Sequence, residues 1–142
     1  METAEIKKKI LEFIKPHVFT VISTVHAGRN APECACIGFV ETENLELIFG
    51  TSNLSRKYKN IMANPNVSFV IGWDFTGTVQ YEGEARELTS DEIDSYVEII
   101  KLKNKQLEKF RTRPDQRFFI VAPKWIRLTL HTKSEVIHEI HI

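Results

Sequence analysis

Between positions 49 and 61 the chain reads Phe49-Gly50-Thr51-Ser52-Asn53-Leu54-Ser55-Arg56-Lys57-Tyr58-Lys59-Asn60-Ile61. The hydroxyl residues Thr51, Ser52 and Ser55 precede two adjacent cations. The run predicts the end of a strand and the opening of a helix, with Ser55 as its cap. Cations in a first helical turn oppose the macrodipole, each by roughly 0.3–1 kcal/mol when exposed. A helix N-terminus also presents unpaired N–H groups to any anion. A phosphate dianion at this point resolves the conflict. Arg56, Lys57, the Ser55 cap and the hydroxyls of Thr51 and Ser52 then all become favourable contacts. The competing account is two solvated surface cations beside ordinary capping hydroxyls. The glycines of a Walker loop are missing, so a single terminal phosphate fits better than a triphosphate.

Other residues with chemical potential are less specific. Cys34 and Cys36 fall one residue apart in a predicted strand, pointing the same way but too far apart for easy bridging. With no second cysteine pair and only His26 nearby in a loop, they read as small core thiols, and no metal site is assigned. His131, His138 and His141 gather near the C-terminus. On a strand, His138 and His141 face opposite sides, which disfavours chelation and leaves dimer or haem contacts open. Lys101, Lys103, Lys105, Lys109, Arg111, Arg113 and Arg117 read as a solvated helix end, with an anionic substrate or partner as the second account. Trp73, Phe75 and Trp125 read as core or interface aromatics. No Ser-His-Asp set and no paired carboxylates can be placed.

The elements that must position these residues follow from periodicity. Ile6, Ile10, Phe13 and Ile14 recur at helical spacing and predict an amphipathic helix ended by Pro16. Strands are predicted over 18–25, 33–40 and 45–49, linked by polar turns. A short helix over 55–63 ends at Asn64-Pro65. Strands at 67–71 and 78–88 come next, then a capping box at Thr89-Ser90-Asp91-Glu92 opening a helix to about Lys109. Strands over 118–122, 125–131 and 136–142 close the chain. About eight strands and three helices predict a mainly β fold, a Greek-key-like closed or nearly closed barrel carrying helices. No Gly-rich fingerprint follows any strand, so a dinucleotide-binding Rossmann domain is excluded.

Composition agrees. The 142 residues are 42% hydrophobic, with 19 basic residues against 19 acidic ones. That length predicts a single domain over 1–142, able to bury roughly 68–70% of its unfolded surface without metal or disulfide. Zero formal net charge argues against nucleic acid as a partner. No apolar run is long enough to cross a bilayer, and the acidic start followed by Lys7-Lys8-Lys9 lacks a signal stretch. The expected setting is cytoplasmic and reducing, with no membrane partner.

The motif Thr51-Ser52-x-x-Ser55-Arg56-Lys57, followed by Asn60-Ile61 and Asn64-Pro65-x-Val67-Ser68, resembles the phosphate-binding signature of the pyridoxamine 5′-phosphate oxidase-like family. Two further stretches are similar to that family's: Val21-Ile22-Ser23-Thr24-Val25 leading through Gly28 to Pro32, and Val79-Gln80-Tyr81-Glu82-Gly83-Glu84-Ala85-Arg86. The likeness is close from Val18 to Leu88 and holds only in outline beyond. It implies an FMN-binding split β-barrel. By the same resemblance Arg56 and Lys57 grip the FMN phosphate with Ser55, Thr51 and Ser52, and Cys34, Ala35, Cys36 and Ile37 lie along the isoalloxazine. The family's flavin-contacting glutamine falls near Thr78 by counting, or at Gln80 after a shift of two residues, and Gln80 is the residue named. A homodimer with flavin at the subunit interface is implied.

The departures shape the expected activity. Where the true oxidases carry an arginine, this strand begins at Glu33, and their Tyr…Arg…Ser set and Arg-Leu-His tail are not matched by Tyr96–Lys101 or by Arg127-Leu128-Thr129-Leu130-His131. Vitamin B6 oxidation is therefore not implied. Shorter general-stress and nitroimidazole-reductase-like members match better in length and tail. The resulting expectation is an FMN-dependent oxidoreductase acting on a small molecule. The flavin does the redox chemistry, so no catalytic side chain is nominated. The alternatives are a non-catalytic flavin or haem binding or sensor protein on the same barrel, and a deazaflavin (F420)-dependent reductase.

Overall fold

Along β1 (Phe19–His26) the buried positions Thr20, Ile22 and Thr24 alternate with half-exposed Val21, Ser23 and Val25. This two-residue period sends one face of the sheet to a core and the other outward. A computed structural model describes residues 1–142 and shows how the remaining elements wrap that core. They are α1 (Thr3–Ile14), β2 (Ala31–Gly38), β3 (Val40–Glu41), β4 (Leu47–Ser52), α2 (Arg56–Ala63), β5 (Asn66–Asp74), β6 (Gly77–Glu87), α3 (Ser90–Lys103), α4 (Lys105–Phe110), β7 (Gln116–His131) and β8 (Glu135–His141). No helix is long and apolar enough to cross a membrane.

The strands form one antiparallel sheet in the order β2-β1-β5-β6-β7-β4-β3, with β8 added beside β7. The sheet curls into a half-barrel, as expected of a split β-barrel. Its ladder does not close: β2 and β3 are its two ends, joined in the chain only by the fully buried Phe39. The predicted strand over 33–40 is therefore two strands.

Inside the curl, Ile10 and Ile14 of α1 pack with Ile22, Phe69, Tyr81, Ile126 and Ile140. A second cluster joins Ile100 of α3 and Leu107 of α4 to Ile48, Phe118 and Ile120 on the other face of β4 and β7. Tyr81, buried in the first cluster, donates to the Leu45 carbonyl at 2.7 Å and so pins the β3–β4 turn. Burial pushes its phenol well above the usual tyrosine range.

Two predicted boundaries move. The strands expected at 118–122 and 125–131 are the single strand β7. Pro123 and Trp125 oppose the adjacent Gly83 and Glu82, so Lys124 is the extra residue of a β-bulge. A bulge is where a strand tolerates proline, which has no N–H to give the ladder. The helix expected to run to Lys109 breaks at Asn104, whose extended backbone ends α3 and whose side chain accepts the Leu107 N–H to start α4. The Thr89–Glu92 capping box is present as predicted.

Candidate functional site

The turn from β4 into α2 is closed by its own hydroxyls. Ser55 Oγ caps α2 by accepting the Tyr58 N–H at 3.2 Å, and it donates to the Ser52 carbonyl at 2.8 Å. With that proton committed, Thr51 Oγ1 is the donor in its 2.9 Å bond to Ser55 Oγ. Ser52 Oγ donates to Asp115 at 2.7 Å and accepts the Leu54 N–H at 3.1 Å. That bond, above the other hydrogen bonds and the nearby Arg113 and Arg117 charges, holds the Asp115 carboxyl below the usual aspartate range. A phosphate reaching Thr51 or Ser52 must therefore exchange for bonds already made. The donors left at the mouth are the backbone N–H groups of Arg56 and Lys57, ahead of the capped Tyr58 N–H, and the side chains of the same two residues.

Packing fixes the helix that carries them. Ile61 enters the core, Tyr58 packs edge-on to Phe119, and the Tyr58 hydroxyl donates to Glu87 at 3.0 Å. Asn60, also buried, sends its amide to Thr24 Oγ1 at 3.0 Å and to Glu33 Oε1 at 2.8 Å. With no acidic residue in its first turn, α2 leaves both opening cations uncompensated from within the helix.

The two cations meet different surroundings. Arg56, 71% exposed, reaches across to β2 and pairs with Glu33 at 2.8 Å. Lys57 is half-buried and has no carboxylate partner. Burial alone lowers its pKa from the ordinary lysine value. A half-buried, unpaired ammonium beside free N–H groups is the electrostatic requirement of an anion seat.

Lys57 also joins two cavities. The smaller, about 120 Å³, is lined by Ile22, Thr24, Glu33, Cys34, Ala35, Arg56 and Lys57. The larger, about 440 Å³, runs from Thr51, Ser52, Ser55 and Lys57 past Ile37 and Gly38 to Gln106, Phe110, Arg113 and Gln116. The first suits a phosphate-sized group. The second has the volume and mixed lining of a small-molecule site. Cys34, Ala35 and Arg56 thus line the smaller cavity, Thr51, Ser52, Ser55 and Ile37 the larger, and Lys57 lines both.

Cys36 and Gln80 lie elsewhere. The pairings Cys36–Val21–Val70–Gln80 put them in one row on the outer face of the sheet. Three strand spacings, about 14 Å, separate them, and Gln80 lines neither cavity. Thr78, two residues earlier on the same face, has a buried hydroxyl without a partner. Cys34 and Cys36 are not core thiols: both are exposed and unpaired. Alternation on β2 instead turns Glu33, Ala35 and Ile37 toward the interior.

Glu33, Asn60, Gln116 and Asn104 stand at the site with no role legible in the sequence, although Asn60 falls in the quoted motif and Glu33 where the oxidases carry arginine. The amides of Gln116 and Asn104 lie over Gly50 and Gly38, where an added Cβ would come within 2.2 and 2.6 Å of them. Nothing local in the sequence announces either approach. No group of three His, Cys, Asp or Glu side chains is placed to hold a metal ion. On β8, His138 pairs with Leu128 and His141 with Trp125, three residues apart and on opposite faces.

Comparison with known proteins places this geometry in context. The sequence profile described as pyridoxamine 5′-phosphate oxidase matches residues 6–130. The fold is similar to general stress protein 26 from Bacillus anthracis str. Sterne, with 22% identity, 97% of this chain and 99% of that one covered, and a TM-score of 0.74. It is similar to HutZ, the heme storage protein from Vibrio cholerae, with 17% identity, 84% and 90% coverage and a TM-score of 0.69. An F420 reductase gives 18% identity, 82% and 94% coverage and a TM-score of 0.63. At these identities the structural likenesses show the fold alone. No curated protein sequence matches the chain.

Proposed function

The chain belongs to the pyridoxamine 5′-phosphate oxidase family, and on that premise we propose that it binds FMN and acts as an oxidoreductase on a small molecule. The observation that carries this reading is Lys57, an unpaired, half-buried cation at a helix N-terminus where two cavities meet. FMN, when bound, supplies the hydride acceptor and donor. The chain's residues would bind and orient it. Lys57, Arg56 and the first-turn N–H groups would hold the phosphate, with Thr51, Ser52 and Ser55 able to exchange internal bonds for it. Ala35, Ile37 and the open edge of β2 would line the remainder of the ligand, shielding it from water on one side.

A homodimer belongs to the same reading. Gln80 and the seat stand on regions that one chain does not bring together, and a second copy against the outer face would add a wall to an open cleft. Two exposed, unpaired cysteines suit a reducing, cytoplasmic setting.

Two other cofactors are supported by the names of proteins with this fold, haem and F420. Haem iron requires an axial ligand, and no histidine lines either cavity. F420 also carries a phosphate and would suit the same seat. The visible spectrum of the group released from the purified protein separates the three. The bands of an oxidised flavin are expected. A Soret band or a deazaflavin spectrum would replace FMN in this reading. Turnover of NAD(P)H by the FMN-loaded protein then supports an oxidoreductase, whereas tight binding without turnover supports a carrier or sensor.

A further inference from the structure

An acidic side chain stands at the centre of this basic mouth. Glu33 retains 7% of its side-chain exposure. Its Oε2 accepts from Arg56 at 2.8 Å and from Arg29 at 2.9 Å, and its Oε1 accepts from Asn60 at 2.8 Å. Asn60 is held in turn by Thr24, so the carboxylate is fixed from three sides. It lines the same cavity of about 120 Å³ as Arg56 and Lys57. Any anion entering that cavity meets both the cations and this carboxylate.

We propose that Glu33 is a specificity-determining residue of the seat, a built-in counter-anion that reduces its preference for a phosphorylated ligand over the uncharged dephosphorylated one. The inference rests on the phosphate seat proposed above. Two opposing effects follow from the geometry. Glu33 orients Arg56, which favours binding, and it repels a dianion in the same cavity, which opposes it. Arg56 is largely in solvent and keeps most of its five donors free of Glu33, so the orienting gain is small. The repulsion sets the carboxylate against two charges within the one cavity of about 120 Å³ that Glu33 and Lys57 both line, and it is the larger effect.

The experiment titrates the full-length protein with FMN and with riboflavin, following flavin fluorescence, for wild type, Glu33→Gln and Lys57→Ala. Glutamine keeps an acceptor for Asn60 while removing the charge. In Glu33→Gln, FMN affinity is expected to rise roughly tenfold while riboflavin affinity stays unchanged. An FMN-to-riboflavin ratio that is unchanged or lower overturns the role of Glu33. If Lys57→Ala leaves FMN binding intact, the phosphate seat itself fails, which is a separate result. Arg29→Gln supplies a test that leaves Glu33 in place. Arg29 is exposed and its side chain pairs with Glu33 alone, so removing it uncovers the carboxylate. FMN affinity should then fall severalfold with riboflavin unchanged, and equal losses for both ligands would contradict the proposal.

Discussion

Lys57 and Arg56 are neighbours in sequence but not in electrostatic weight. Exposed charges are screened by water and salt, while half-buried ones are screened far less. Lys57→Ala is therefore expected to weaken FMN binding about 10- to 100-fold, the usual worth of a hydrogen bond to a charged group. Arg56→Ala should cost less, and fluorescence titration of the two variants checks the order. Glu33 sets a pH dependence of stability. Asn60 first, then Arg56, His26 and Arg29, hold its carboxyl below the ordinary value of 4.5, against the opposing effect of burial. The unfolded chain thus binds this proton more readily than the folded one. The stabilisation is complete above that ordinary value and is lost as pH falls through the folded one. Urea unfolding should show wild type above Glu33→Gln at neutral pH, with the two converging in acid. The cations were legible in the sequence because two adjacent charges break a helix rule. Glu33 was not, because its pairing with Arg56 spans 23 positions and two different elements.

The elements differ in how much of themselves they announce. The α3 capping box is written in four consecutive residues, Thr89 to Glu92, and folds as read. The α3–α4 break was not legible, because Asn104 acts through two contacts of different range. It caps α4 locally and donates to the Val18 carbonyl at 3.4 Å across the fold. Two strands were expected at 118–122 and 125–131, yet the bulge at Lys124 carries the ladder past Pro123 without ending β7. Because Asn104 is buried and lines the larger cavity, it ties α4 to the site. Asn104→Ala should lower stability by about 1–2 kcal/mol, at the upper end for a lost helix cap. Chemical unfolding measures this, and an unchanged midpoint would show that α4 is held by packing alone.

At the scale of the molecule, a closed or nearly closed barrel was legible from about eight strands and their turns, and its split only through the family resemblance carried by the motif set around α2. The position of the split was not. It depends on Phe39 turning the chain from one end of the sheet to the other. The half-barrel leaves an outer face carrying exposed Phe19, Cys34, Cys36 and Gln80. With a second copy on that face, sedimentation equilibrium should give twice the chain mass of 16.4 kDa. A monomer at micromolar concentration would rule out the dimer. The proposed flavin site stands or falls on the mouth of α2 seating the phosphate. A crystal structure of the protein grown with FMN tests it most directly. The phosphate is expected against the Lys57 ammonium and the backbone N–H groups of Arg56 and Lys57. A flavin bound elsewhere, or an empty seat with Lys57 turned into water, would contradict it.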